Sequence, residues 1–341
     1  MPTIKDIARI VGVSPTTVSN VLHGKHQRVS AETVERIRVA IEQEGYVPNM
    51  SARALVSNAS RIVGVINHLV PLESGGFFQD PFHSVLLSGI EQTLRKNDYF
   101  LMVRTVDSVE ELHSLLSNWN IDGLILTGIF PRELYKSLRG QKKPFVLIDS
   151  YIEDEHSLQI RLEDEKGGYI ATRYLLERGH REILFCCPRM EKEGVIRERF
   201  SGYSRALSEY GLPVQAENIY ESSFSIEDGV ALGRRLAARA DYTAIFATAD
   251  ILAAELSTGL TMAGRRVPQE VSIIGFDDMN ISRINCPPLT TVHQDVVGRG
   301  ELAVELLLNA IERGESAEPY IFPVSLTERE SVRDLRENGR A

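Results

Sequence analysis

The sequence predicts two architectures in series: an N-terminal all-α helix-turn-helix domain, then an α/β two-lobed body whose parallel sheets are covered by helices. Three observations predict this. Short apolar-striped segments, bounded by capping residues and glycines, fill the first sixty positions. From Arg61 onward, apolar strand-like runs alternate with helix-like stretches, the pattern of parallel sheets covered on both faces. Charge is also divided: residues 1–61 carry eight basic and five acidic groups, net +3, leaving −12 for the rest of a chain of net charge −9. A basic segment on an acidic body suits a nucleic-acid reader attached to another module.

Thr3 is placed to cap a first helix over 4–11, in which Ile4, Ile7, Ala8 and Val11 recur on one face. Gly12 ends that helix and supplies the backbone freedom of a tight turn. Ser14 caps a second helix with Pro15 at its first position, where a missing N–H costs nothing. There Val18, Val21 and Leu22 face inward, and Thr16, Thr17, Ser19 and Asn20 face outward, before Gly24 closes the helix. Ser30 caps a third helix, striped by Val34, Ile37 and Ile41 and ended by Gly45. Two short helices joined by a glycine-containing turn and backed by a third form a helix-turn-helix, whose second helix enters the major groove. Pro15, Thr16 and Asn20 are then the candidates for base edges, Asn20 by bidentate pairing with adenine. Thr17, Ser19 and Asn49 suit phosphate, and the capping residues Thr3 and Ser14 complete the DNA-facing set. Pro48 stops the third helix. Residues 49–56, with Arg53 among them, make about two helical turns, too few to stand alone.

In the body, strand-like runs at 62–66, 100–103, 123–126, 145–148, 183–186, 244–246 and 271–274 alternate with helix-like stretches near 84–96, 109–118, 166–178, 199–210, 226–238 and 251–263, and a last helix spans about 296–313. Such folds bind ligands beyond the carboxyl ends of their strands, and two facing lobes make a cleft that closes by hinge motion. Asp149, Asp277 and Asp278 stand at strand ends, where a carboxylate accepts hydroxyl groups; Asp278 is read as a helix cap. Arg199, at a helix start, is suited to clamp a hydroxyl, carboxylate or phosphate, and Phe82 and Phe224 to stack on a ring.

The bulk numbers exclude much. A length of 341 residues allows two or three domains, and 43% hydrophobic with 25% charged residues is globular composition, not disordered or collagen-like. No apolar run is long enough to span a bilayer, and residues 1–6 lack the apolar core of a signal peptide. Cys186, Cys187 and Cys286 form no C-x-x-C pair, which argues against a disulfide framework and a zinc site; all three are expected to be buried thiols in a reducing cytoplasm. Histidines 68, 83, 113, 156, 180 and 293 pair with no carboxylate motif, and no P-loop, G-x-S-x-G or H-E-x-x-H occurs, so neither an enzyme nor a metal or cofactor site is expected.

The stretch TIKDIARIVGVSPTTVSNVLHGKHQRVSAETVERIRVAIEQEGYVPNMSARAL, unbroken from Thr3 to Leu55, resembles the N-terminus of the lactose-repressor/galactose-repressor (LacI/GalR) family of bacterial transcription regulators. The body motifs RERFSGYSRAL, AIFATAD, VSIIGFDDM and PPLTTVHQDVVGRGELAVELLL are similar too, so the resemblance spans nearly the whole chain. It implies a cytoplasmic, homodimeric repressor of a palindromic double-stranded operator, with a periplasmic-binding-protein-like sensor for a carbohydrate-like effector. The implied divisions are a DNA-binding domain at 1–47, a hinge at 48–60 and a sensor at 61–332, followed by a polar tail at 333–341. Lobe 1 takes about 61–161 and 293–321, and lobe 2 about 162–292 and 322–332. The hinge helix packs on its dimer mate in the minor groove, with Leu55 as an apolar wedge that kinks the duplex. Asn20 stands where the family commonly has a basic residue, which implies a shift from reading guanine toward adenine. The effector pocket would use Phe82, Asp149, Arg199, Phe224 and Asp277, with Ala249–Asp250 replacing a frequent Asn–Asp pair and so losing one hydroxyl contact.

Overall fold

The structure is a computed structural model, and it describes residues 2–22, 24, 27, 29–47, 59–67, 78–128, 132–140, 143–152, 154, 157–223, 225–314 and 318–336. The chain divides into two compact units, residues 1–60 and 61–341. The predicted hinge helix, with Asn49, Arg53 and Leu55, lies outside the described residues, as does Phe224.

In the first unit, α1 (Ile4–Val11), α2 (Pro15–Leu22) and α3 (Ala31–Glu44) enclose a small core led by Ile7, Val18 and Ile37, each fully buried. Each start has its expected cap. Thr3 and Asp6 form a reciprocal capping box, the Ser14 hydroxyl accepts from the Thr17 N–H at 3.1 Å, and Ser30 accepts from Thr33 at 3.2 Å. Gly12 and Gly45 take left-handed backbone at φ 75° and 60°, which ends α1 and α3. Arg36 ties α3 to the end of α1 by donating to the Val11 carbonyl at 2.6 Å.

The second unit holds two six-stranded sheets. The first contains β1 (Ile62–Asn67), β2 (Phe100–Thr105), β3 (Gly123–Thr127), β4 (Phe145–Ile148), β5 (Leu158–Leu162) and β11 (Tyr320–Phe322), in the order β11-β5-β4-β3-β1-β2, all parallel. The second contains β6 (Ile183–Pro188), β7 (Ile219–Ser222), β8 (Ala244–Ala247), β9 (Ser272–Asp277), β10 (Thr290–His293) and β12 (Ser325–Thr327), in the order β12-β10-β9-β8-β6-β7. Only the β10–β12 pair is antiparallel. The chain therefore passes between lobes three times: after β5, after β10 and after β11. Five of these strands lie outside the strand-like apolar runs of the sequence: β5, β7, β10, β11 and β12. They are three to five residues long, too short for a period of two to stand out, and most are interrupted by polar groups.

Each sheet is apolar on both faces, as a parallel sheet must be. Alternation along β1 sends Val63 and Val65 into one core and Ile62 and Ile66 into the opposite one. Helices α4 (Pro81–Lys96) and α12 (Val296–Arg313) pack together on the first face, and α5 (Val109–Asn118) and α6 (Arg132–Arg139) lie on the other side. In lobe 2 the pairs are α7 (Asp164–Glu177) with α8 (Val195–Glu209), and α9 (Ile226–Leu236) with α10 (Asp250–Met262). A short α11 (Asn280–Ile284) follows β9. At the α7–α8 crossing, a Cβ on Gly168 would collide with the Arg199 backbone and one on Gly202 with the Glu165 carbonyl. The two helices touch through backbone, and this fixes Arg199, in the second turn of α8, beside the start of α7.

The expected burial of all three cysteines holds for Cys186 and Cys187, but Cys286 is exposed in the proline-rich turn before β10. Among the described residues no helix is long and apolar enough to cross a membrane.

Candidate functional site

In the first unit, the surface of α2 combines exposed Pro15 and Thr16 with half-buried Thr17, Ser19 and Asn20. The Ser14 and Thr17 hydroxyls are 2.8 Å apart and hold each other, which rigidifies the start of α2. Thr3 is occupied in the same way by Asp6, whose carboxylate accepts both its N–H (2.9 Å) and its hydroxyl (2.6 Å). These residues set the pose of the helix; Pro15, Thr16, Ser19 and Asn20 carry none of the capping bonds.

In the second unit a cavity of about 860 Å³ opens beyond the carboxyl ends of both sheets. It brings together Phe82, Asp149, Arg199 and Asp277, four of the five residues predicted for the pocket. Asp149 follows β4 and Asp277 ends β9, one from each lobe, and both have left-handed backbone at φ 57° and 104°. Non-glycine residues hold such angles only where surrounding bonds over-determine them.

Those bonds form one buried chain across the crossovers. Arg299 of α12 donates to Asp149 Oδ1 and, at 2.6 Å, to the Gln294 side-chain oxygen. Gln294 Nε2 donates to Asp277 Oδ1 at 2.6 Å. Arg199 Nη2 lies 3.7 Å from that same oxygen, and Arg199 Nε donates to Asp164 Oδ1 at 2.8 Å. The Tyr151 hydroxyl closes the chain on Asp164 Oδ2. Arg199 also donates to the Thr248 carbonyl and lies with its guanidinium carbon 3.5 Å from the Phe276 ring centroid.

Burial sets the electrostatics. Burial raises Asp277 to about 7, although Arg199 and Gln294 pull the other way. Asp149 is raised by burial against the pull of Arg299. Burial opposes the Arg199 charge, yet Asp164 and then Asp277 hold its pKa above the ordinary value. Asp250 is pushed well up by burial and by Asp277; it accepts from the Met279 N–H at 2.7 Å and the Thr291 hydroxyl at 2.5 Å, so it fastens the loop after β9. Phe82 lies edge-on to His83 at 5.1 Å between centroids and lines the cavity wall.

Three sequence expectations are corrected. Asp278 is not a helix cap: Arg329 donates to it at 2.5 Å and His293 sits 3.0 Å away, while Met279 is the N-cap of α11. His83 and His293 do meet carboxylates, His83 through Asp80 at 2.6 Å. Arg199 is in the second turn of its helix rather than at the start. Gln294, Arg299 and Asp164 were missed. Arg299 had a signal: it lies on the buried stripe of α12 with Val296, Ala303 and Val304, where a cation needs a carboxylate.

The fold and site together define a class: a helix-turn-helix module followed by a two-lobed α/β sensor with a cleft edged by buried charged groups. Comparison with known proteins agrees. Residues 3–49 match the model for bacterial regulatory proteins of the lacI family, and residues 172–332 match a periplasmic binding protein-like domain. The HTH-type transcriptional repressor PurR of Vibrio cholerae is 34% identical over 98% of this chain and 99% of its own. A solved transcriptional regulator CelR-cellobiose complex covers 97% of this chain and 100% of its own at 29% identity, with a TM-score of 0.72. A LacI family transcriptional regulator from Enterococcus faecium with bound ribose covers 80% and 99% at 29% identity, with a TM-score of 0.70. The chain belongs to the lacI family of bacterial regulatory proteins. It is a DNA-binding transcription regulator with a small-molecule effector domain, not an enzyme.

Proposed function

We propose that the chain is a cytoplasmic repressor that binds a two-fold symmetric operator as a homodimer, and that a sugar or sugar derivative in the cleft changes its hold on DNA. The cleft between Asp149 and Asp277 carries this reading. Two carboxylates face one cavity from opposite lobes, tied by Arg299, Gln294 and Arg199, so a polyhydroxyl ligand bridging them would change lobe closure. The bound sugars of the two solved relatives support the ligand class. On the DNA side, Pro15, Thr16 and Asn20 read bases, and Thr3, Ser14, Thr17, Ser19, Asn49 and Arg53 position the duplex. Leu55 is the minor-groove wedge. The working divisions are 1–47 for DNA, 48–60 for the hinge and 61–332 for the effector and dimerisation.

A ligand shifts the DNA equilibrium only by its differential affinity for the two lobe arrangements, typically about 1–3 kcal/mol. The test is a thermal-shift screen of neutral sugars on the purified protein, followed by operator titration with and without the hit. A hit at about 100 times its dissociation constant adds roughly 2.7 kcal/mol to the sensor. Loss of that shift in Asp277→Ala supports the cleft assignment; an unchanged shift sinks it.

A further inference from the structure

One wall of the same cavity has chemistry that the sugar reading leaves unused. Glu255 lies in the middle of α10, 7% exposed, and lines the cavity. Its carboxylate rests on the backbone of Gly229 in α9, where any Cβ would collide with it. Among the described residues no hydrogen bond or ion pair reaches this carboxylate. The cations that line the cavity are engaged elsewhere: Arg199 with Asp164 and Asp277, Arg189 with Glu191 at 3.2 Å, and His83 with Asp80. Glu227 and Asp228, on the first turn of α9, add negative charge to the same wall. Asp228 already accepts from the Ser223 hydroxyl. Among the described residues, eight carboxylates and two arginines line the cavity.

A buried carboxyl with no hydrogen-bond partner is costly even when neutral, and an apolar side chain would pack between α9 and α10 without that cost. Burial and then Glu227 push Glu255 up to about 8, so without a counter-charge it rests mainly protonated near pH 7, and a cation placed beside it would draw it into the charged form.

We infer that Glu255 is the anchor for a cationic nitrogen on the effector, so that the effector is an amine-bearing polyhydroxyl compound rather than a neutral or anionic one. This rests on the cleft reading above and refines it. Asp149 and Asp277 take the hydroxyls, and the α9–α10 wall takes the ammonium group. A charge-assisted bond in a desolvated pocket is the strong kind, and its loss reads as about tenfold or more in affinity.

The experiment uses the full chain and matched probes that differ only in hydroxyl against ammonium: D-glucose with D-glucosamine, D-galactose with D-galactosamine, and adenosine with 5′-amino-5′-deoxyadenosine. Thermal shift finds responders, and calorimetry gives dissociation constants for wild type, Glu255→Gln and Asp277→Asn. The expected result is that an aminated member binds about tenfold or more tightly than its partner, and that Glu255→Gln erases this excess. Equal or tighter binding by the hydroxyl members, or an amine preference that survives Glu255→Gln, overturns the inference. If hydroxyl members bind and Asp277→Asn weakens them, the cleft reading stands without the amine. If no probe binds wild type, the inference and the cleft reading are both rejected for these classes of ligand.

Discussion

In the N-terminal unit each helix cap reaches only three residues along the chain: Thr3 with Asp6, Ser14 with Thr17, and Ser30 with Thr33. In the body, the bonds that shape the cavity join Arg299 to Asp149 and Arg199 to Asp164, 150 and 35 positions apart. The caps are exposed, whereas the cavity groups are buried. A local exposed bond contributes little and folds with its own helix. A distant buried one forms only when the tertiary structure closes, and it strands its partner when broken. The first unit is three capped helices around one small apolar core, and the second is two sheets with apolar cores on both faces and a buried polar chain lining the cavity between its lobes.

The strongest way to break this contrast is Arg299→Ala. It leaves Asp149 and Gln294 unsatisfied, and the body is expected to lose about 3–5 kcal/mol. Calorimetry should show the body transition falling while helicity of the first unit is kept; a loss under about 1 kcal/mol would mean the network is not structural. Next is Ile37→Ala, which empties the centre of the small core and should cost the first unit about 2–5 kcal/mol. A unit of this size has little stability to spare. DNA binding by gel shift should disappear while the body transition stays in place.

Titration separates the units further. No titratable side chain of the first unit is buried among its described residues. The body has Asp277, raised to about 7 by burial, and His180, lowered by burial to about 4. An acid with a raised native pKa is protonated more readily in the folded state, so the Asp277 contribution falls as pH rises from about 4 to about 7. Asp277→Asn should therefore raise body stability above pH 7 by on the order of 1–3 kcal/mol, with the gain vanishing near pH 4. A base with a lowered native pKa works in the opposite direction. His180, bonded to Thr243 and the Arg333 carbonyl, costs stability as pH falls from 6.5 toward 4, and His180→Gln should flatten that acid limb in melts at successive pH values. The smallest expected effect is Thr3→Ala, about 1 kcal/mol confined to the first unit, read from its own transition. A larger loss, or one shared with the body, would contradict the local character of the caps.

The sequence alone determined the first unit almost residue by residue, because its signals are local: a capping oxygen three residues from its donor, a glycine where the backbone turns left-handed, and apolar groups at helical spacing. It also determined the alternating α/β class and, through strand ends that converge on one crevice, the place of Asp149 and Asp277; Phe82 and Arg199, which also line the cavity, came with the family resemblance. The short strands β5, β7, β10, β11 and β12 were decided by tertiary structure, because three to five residues become a strand only when a neighbour offers its edge. The same holds for Asp164, Gln294, Arg299 and Glu255. Each is an unremarkable charged or polar residue in a helix or loop until the crossovers and helix pairs bring it against its neighbours, and burial, which depends on the whole fold, gives it its chemistry.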